Sequence, residues 1–162
     1  MSKPKLAEAA ASDCRGPRLK LARFCRTSEP VSYLMLRMAF ALIMLTHGLP
    51  KALGTAHGSM ADPMAGSISM IGHVMGLPFA PQLGFLVMLL ETAGAVMLFA
   101  GFLTRPVAIL IALEMVGISV ALGPTWPWID RGIEYPVLMC TLAVHLAIRG
   151  GGRFSLDRSI FR

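Results

Sequence analysis

The stretch LGFLVMLLETAGAVMLFAGFL, residues 83–103, decides the fold of this chain. It is long enough to cross a lipid bilayer as a helix, since about 20 apolar residues span the hydrocarbon core. Glu91 lies at its centre. On insertion scales an acidic residue at mid-helix costs roughly 2.5–3.5 kcal/mol, which nearly cancels what the apolar residues of the run contribute. Glu91 therefore requires a partner, a proton or a function.

The other apolar residues of the 162-residue chain also come in blocks, and 55% of all residues are hydrophobic while 15% are charged. A soluble domain usually has about 25% charged residues. The blocks predict an all-α fold, an integral membrane four-helix bundle, with spans at about residues 31–49, 81–103, 106–122 and 133–148. The apolar segment Ser67–Met75 is too short to span, and it is expected to be a short interfacial or re-entrant helix.

Positive charge is concentrated in residues 1–29, at Arg105 and after residue 148. Since cytoplasmic flanks are enriched in Lys and Arg, both termini are predicted to be cytoplasmic. Residues 1–29 are expected to form a mostly disordered basic tail, residues 30–157 the membrane domain and residues 158–162 a C-terminal tail. The lipid bilayer is the expected partner. A nucleic-acid partner is not favoured, because no aromatic residues are interleaved with the basic ones.

Several other ionisable residues share the problem of Glu91. On the first span, Arg37 and Lys51 are two heptads apart and lie on one stripe, and His47 lies one turn before Lys51. On the fourth span, Glu134 and His145 are eleven residues apart, almost three turns. Such groups usually face the interior of a bundle and often mark substrate or proton paths. The expected polar core comprises Arg37, His47, Lys51, Glu91, Arg105, Glu114, Glu134 and His145.

Structural explanations compete with a functional one at some of these positions. Arg37 could extend to the cytoplasmic lipid headgroups, and Lys51 could be an ordinary lysine at a helix end. Glu114 could be protonated and act only as a hydrogen-bond donor. Glu91 differs, because its own helix has no basic residue and a mid-span carboxylate cannot reach either interface.

The sequence contains no clear motif for binding a metal or another cofactor. A site built from His47, His57, His73 and methionines would suit copper, but no HxH spacing supports it and no metal site is expected. The two loop histidines, His57 and His73, are instead expected to be solvated. The three cysteines form no CxxC, and no haem, dinucleotide or iron–sulfur motif is present. Any electron-carrying cofactor would therefore lie on a partner.

Several short motifs follow one another from about Leu34 to Asp157. They are Arg37, the HGLPK ending of the first span (His47–Lys51), ETAG (Glu91–Gly94), the turn GFLTR (Gly101–Arg105), Glu134 at the start of the last span and the closing GGGRFSLD (Gly150–Asp157). In this order and at this spacing, the motifs resemble the DoxX family of small four-helix membrane proteins.

The resemblance implies an inner-membrane protein of bacteria or archaea. Some relatives are subunits of a thiosulfate:quinone oxidoreductase, and others associate with sulfur-metabolism or oxidative-stress proteins. The first hypothesis is a membrane subunit or anchor of such a redox complex, in which Glu91, Lys51 and His47 serve a quinone headgroup while Arg105 and Glu134 hold the bundle. At most the chain is a non-catalytic or quinone-interacting subunit of an oxidoreductase. The alternatives are a non-enzymatic scaffold or assembly factor, and a small transporter or metal-handling protein that would need to form a homo-oligomer.

Overall fold

The computed structural model describes residues 15–160, and within them the regular structure is helical, with no β-strand. The expectation of an all-α chain is thus confirmed. The helices are α1 (Arg15–Leu53), α2 (Pro63–Ser69), α3 (Ala80–Ala100), α4 (Thr104–Leu122), α5 (Glu134–Arg149) and α6 (Leu156–Ile160). A π-helical turn at Met70–Val74 directly follows α2, and a second one at Leu90–Gly94 lies inside α3.

Three helices in the described part of the chain are long and apolar enough to cross a membrane: Arg23–Leu53 within α1, α3 and α4. Their outward faces expose large apolar side chains, such as Phe85 on α3 and Leu113 on α4, which suits a lipid surrounding. The fourth expected span is α5, which has 16 residues. At 1.5 Å per residue it is about 24 Å long, short of the roughly 30 Å hydrocarbon core.

Helix α1 begins at Arg15, well before the expected start near Val31, and it continues past Pro50 to Leu53. Residues 15–29 of the expected tail are therefore helical, and residues 1–14 lie outside the described part. Proline inside a helix removes one backbone hydrogen bond and commonly ends it. Here Pro30 and Pro50 are both accommodated within the helix. Both prolines therefore lie inside the first helix and do not end it.

The core lies on one stripe of α1 and on the facing sides of α3, α4 and α5. Helix α1 packs mainly against α3, and α4 packs mainly against α5, its neighbour along the chain. The buried apolar core comprises Tyr33, Phe40, Ala41, Met44, Ala95, Leu98, Val107, Ala108, Ile111, Met115, Met139, Ala143 and Leu146.

Helix α2 forms a hairpin with the first half of α3. The Asp62 carboxylate caps α2 by accepting a hydrogen bond from the Ala65 N–H at 2.9 Å, and Pro63 occupies the first turn. The helix packs so closely on α3 that a Cβ added at Gly84 would lie 2.9 Å from Ile68 Cγ1. The apolar segment that was too short to span is thus a short helix held against α3.

Helices α1 and α3 approach most closely at Gly48. A Cβ atom at this position would lie 2.5 Å from the carbonyl carbon of Glu91 and 2.7 Å from its carbonyl oxygen. Those atoms belong to the backbone, so no side-chain rotation could make room. The glycine of the HGLPK motif therefore sets the distance between the first two spanning helices.

Arg37 anchors the opposite end of the bundle and is only 1% exposed. Its guanidinium donates hydrogen bonds to the carbonyl oxygens of Gly151, of Phe154 at 2.7 Å and of Phe99 at 3.4 Å. Nearby, the Tyr33 hydroxyl donates to the Gly150 carbonyl. Arg37 is thus buried within the protein and does not extend to the lipid headgroups.

Asp157 completes this arrangement from the C-terminal side. Its carboxylate accepts hydrogen bonds from the backbone N–H groups of Leu103 at 2.7 Å and Thr104 at 3.0 Å, and its own N–H donates to the Gly101 carbonyl at 2.9 Å. The cap of α4 thus comes from Asp157, more than fifty residues away in sequence. A carboxylate at a helix N-terminus also stabilises the helix dipole. We call the set Tyr33, Arg37, Gly101–Thr104 and Gly150–Asp157 the clasp.

The clasp brings together the start of the first span, the turn before α4 and the C-terminal segment. These segments adjoin the three regions in which the sequence concentrates its positive charge, of which the first is described from residue 15 onward. The described parts of these regions therefore lie toward one end of the helices, which agrees with the positive-inside pattern.

Replacing Gly48 by Ala is expected to destabilise the protein by about 1–3 kcal/mol, the usual cost of overpacking, because the new Cβ meets the Glu91 backbone. The measurement is chemical or thermal unfolding in detergent micelles. Gly117→Ala is the matched control, since its Cβ would meet only the end of the Met75 side chain at 3.6 Å. Equal stability of the Gly48→Ala variant and the parent would contradict this account of the helix crossing.

Replacing Asp157 by Ala is expected to lower stability by about 1–3 kcal/mol, because two backbone donors lose a charged acceptor. Asp157→Asn should cost less, since one oxygen remains. Unfolding in micelles again provides the measurement, and Asp130→Ala, a change at an exposed acidic residue, is the control. A loss in the control as large as that at position 157 would rule out a specific capping role.

Candidate functional site

An ion pair joins the first two spanning helices. Lys51 lies in the last turn of α1, and its Nζ atom is 2.6 Å from Glu91 Oε2 on α3. The two side chains are only 11% and 4% exposed. Glu91 belongs to the π-helical turn Leu90–Gly94. Such turns are rare and occur frequently at functional sites, because the extra residue redirects the side chains of the turn.

The fold explains why Lys51 and Glu91 meet. Helices α1 and α3 are antiparallel, since Arg37 contacts Phe99 at one end while Lys51 contacts Glu91 toward the other. Side chains on a helix tilt toward its N-terminus. On two antiparallel helices, this tilt brings a pair of side chains together when each residue lies slightly farther along its own helix than the residue it contacts. The lack of a side chain at Gly48 lets the backbones approach closely enough for the ion pair to form.

Glu114 on α4 is the third member of the site. Its carboxyl group lies close enough to Glu91 and Lys51 to interact electrostatically with both. Both of its oxygens are buried, and neither accepts a hydrogen bond from any donor in residues 15–160. Two carboxyl groups that share a buried site favour a state in which one of them is protonated. We call Lys51, Glu91 and Glu114 the triad.

The charge of the triad depends on a single proton. With both carboxyl groups ionised, two negative charges face one positive charge and the site has a net charge of −1. One added proton would bring the net charge of the site to zero.

Two helices independently give the depth of the triad. Glu91 precedes Gly101 by ten residues on α3, and Glu114 follows Thr104 by ten residues on α4. At 1.5 Å per residue, both carboxyl groups are about 15 Å from the clasp along the helix axes. This is half the thickness of a typical hydrocarbon core. The triad therefore lies deep within the bundle.

His47 connects the triad to the end of the bundle opposite the clasp. It is half-buried, lies one turn before Lys51 and directly precedes Gly48, where α1 meets the Glu91 backbone. Its ring packs edge to face on that of His57, with centroids 5.0 Å apart, and lies 6.3 Å from that of Tyr135.

Two members of this neighbourhood were missed by the sequence analysis. We expected His57 to be solvated, but it is half-buried against His47, whereas His73 is exposed as expected. Tyr135 was not considered. Its position directly after Glu134, at the start of the last helix, is the signal that could have indicated it.

The remaining expected core residues lie elsewhere. Arg37 is fourteen residues before Lys51, roughly 21 Å along α1, so it belongs to the clasp and cannot neutralise Glu91. His145 is exposed, with its ring 5.9 Å from that of Tyr33. Glu134 is half-buried at the start of α5.

Arg105 is exposed as well and lies across Gly150, where its Nε atom is 3.0 Å from the position of an added Cβ. The expectation that all eight ionisable residues face one polar interior was therefore wrong for Arg105 and His145. The other buried groups form two separate sites, the clasp and the triad. The triad can hold, donate and accept a proton at a depth where water is scarce.

Comparison with known proteins agrees with the motifs. The family model described as DoxX matches residues 32–123, which include the whole triad. "Putative oxidoreductase CatD" of Bacillus subtilis (strain 168) is 29% identical over 135 residues, which cover 83% of this chain and 91% of that protein. "Inner membrane protein YphA" of Escherichia coli (strain K12) is 28% identical over 144 residues, which cover 81% of this chain and 91% of that protein. No solved structure matches. Since the family model matches more than half of its length, the chain belongs to the DoxX family.

Proposed function

We propose that this protein is the membrane subunit of a redox complex and that its triad transfers protons to and from a quinone-type substrate. The observation that supports this most strongly is the Glu114 carboxyl group, which is buried beside the Lys51–Glu91 ion pair with no hydrogen-bond donor to either oxygen among residues 15–160. A structural ion pair needs no second carboxyl group. A proton-transfer site does, because it must hold a proton that can leave.

Quinone reduction requires two electrons and two protons. The triad would supply the protons one at a time from the carboxyl group of Glu114, which is reprotonated between the two steps. Lys51 would stabilise the carboxylate that remains after each transfer. The electrons would come from a redox centre on a partner protein, since the chain has no motif for one. A relative named as an oxidoreductase supports this class of reaction.

The proposal includes an orientation in the membrane. We place α5 as a short fourth span beside the three longer ones, which completes a four-helix bundle. The positive-inside rule then places the clasp and both termini at the cytoplasmic side of the inner membrane. A relative named as an inner membrane protein supports that location. The triad would then open toward the other side through His47.

A purely structural role is the main alternative, in which the Lys51–Glu91 pair only joins α1 to α3. Sulfur or oxidative-stress partners would then assemble on the protein without any proton transfer through it. The clasp supports this alternative, because the motif residues at the other end of the bundle hold the fold together. The two roles differ in what an isosteric change at Glu114 does.

Replacing Glu114 by Gln is expected to preserve the amount of protein, since the amide can donate a hydrogen bond to Glu91, but to abolish proton transfer. Quinone-dependent turnover per molecule should fall by roughly 100-fold or more, in the range of a lost acid–base group. The measurement is quinone reduction in membranes of the host, normalised to protein abundance. Glu29→Gln, an amide change at an exposed ion pair with Arg149, is the matched control. Unchanged turnover in the Glu114→Gln variant would refute the proposal, and a loss of abundance alone would favour the structural alternative.

A double-mutant cycle at the ion pair tests its energetics. Glu91→Leu or Lys51→Met alone leaves one buried charge without its partner and is expected to cost about 3–5 kcal/mol of stability. The double variant should recover most of that loss, because replacing both charges by apolar groups is often neutral or stabilising. Unfolding in micelles provides the measurement. Additive losses would show that the two side chains do not interact as the structure describes.

A further inference from the structure

We propose that His57 and His47 form a proton path from the surface at the end of the bundle opposite the clasp to the triad. This inference rests on the proposed function in one respect, namely that the triad exchanges a proton. It adds which residues carry that proton and from which end of the bundle it enters. The contact between the two imidazoles, together with the closure of the other end by the clasp, supports it.

The loop that follows α1 fixes the position of His57. The backbone N–H of His57 donates to the Met60 carbonyl at 2.9 Å, and the backbone N–H of Met60 donates to the His57 carbonyl at 3.0 Å. The tip of this turn is joined to the other loop at the same end, because Arg131 donates a hydrogen bond to Ser59 Oγ at 3.1 Å. The turn thus holds the half-buried His57 ring over α1 at a fixed place.

The two imidazole rings are in contact, with centroids 5.0 Å apart and planes inclined at 62°. A neutral imidazole accepts a proton at one nitrogen and donates from the other, so a proton can pass between these rings when one of them turns its nitrogen toward the other. His47 lies one helical turn before Lys51 and directly precedes Gly48, where α1 meets the Glu91 backbone. The path therefore leads from His57 through His47 to the carboxyl groups of the triad.

The position of His47 on α1 places it beside the triad. It directly precedes Gly48, where α1 meets the Glu91 backbone on α3. The Tyr135 ring on α5 lies 6.3 Å from the His47 ring, and the His57 ring lies 5.0 Å from it. His47 therefore lies between His57 and the helix contact that carries Glu91.

The clasp closes the other end of the bundle to protons. The Arg37 guanidinium is buried between the Gly101–Thr104 turn and the C-terminal segment. Arginine does not lose its proton in proteins, so this charge repels protons and cannot relay them. The end at His57 is the entrance that remains.

The test is hydrogen–deuterium exchange of the triad proton, followed by infrared spectroscopy of the full chain in lipid vesicles without quinone. The C=O band of a protonated carboxyl group shifts on transfer to D2O, and Glu114→Gln identifies the band by removing it. His57→Phe and His47→Phe keep the ring packing but remove the nitrogens. Each is expected to slow the exchange by roughly tenfold or more, the lower end of what a positioned acid–base group contributes.

Two histidines outside the path provide matched controls. His73→Phe and His145→Phe change exposed imidazoles that do not contact His47, and both are expected to leave the exchange rate unchanged. Unchanged exchange in the folded His57→Phe variant would overturn the inference, as would equal slowing in all four variants or the absence of a carboxyl band from the parent. His57 lies in a loop, so this variant tests the path even where His47→Phe does not fold.

The outcome separates this inference from the proposed function. Slowed exchange together with absent quinone turnover would leave the path intact and refute the quinone role. Normal exchange in the histidine variants together with quinone turnover that depends on Glu114 would refute the path and support the quinone role.

Discussion

A charge in the hydrocarbon core must be neutralised within the protein, and the contact between Lys51 and Glu91 is the way this chain meets that constraint. Other features of the bundle follow from it. Gly48 removes the side chain that would hold α1 and α3 apart, and the π-helical turn places Glu91 on the side that faces Lys51. Glu114 is not needed for this neutralisation, since it adds a second carboxyl group beside Lys51, which is already paired with Glu91. The site is therefore one proton away from neutrality, which a structural pair would not be.

The two ends of the bundle use charge in different ways. At the clasp, Arg37 and Asp157 bind backbone groups, with carbonyl oxygens around the guanidinium and N–H groups around the carboxylate. Each charge is thus satisfied by fixed dipoles, and the segments it joins become rigid. At the triad the charges are satisfied by other side chains that can themselves gain or lose protons. One end is thus suited to holding the chain together, and the other is suited to chemistry.

Much of this was accessible from sequence because it depends on local patterns. The apolar runs predicted α3, α4 and most of α1, and the heptad spacing correctly placed Arg37 and Lys51 on a buried stripe. The start of α1 was misplaced, because the helix continues through Pro30 into the segment that was expected to be a disordered tail. His145 shares a helix with Glu134, but its face points outward, since the period of a helix does not reveal which side a neighbour covers.

Local sequence patterns could not identify the partners of the buried charges. Asp157 caps a helix that begins more than fifty residues earlier, and Arg37 binds carbonyls from two distant segments. His57 was expected to be in solvent, because its burial depends on a turn closed by two backbone hydrogen bonds that no residue type requires. These contacts join parts of the chain whose separation in sequence gives no hint of their proximity.

The π-helical turn at Leu90–Gly94 also constrains the length of α3. It adds one residue to a helix whose two halves pack against different neighbours, since Gly84 must face α2 while Leu98 faces the core. Each residue advances an α-helix by about 100°. Deleting a single residue between Gly84 and Glu91 would rotate one half against the other by that angle, so that either the α2 contact or the carboxylate would face lipid. Gaps in alignments of DoxX proteins should therefore avoid this stretch, although it lies in a run of apolar residues where the side chains alone would tolerate them.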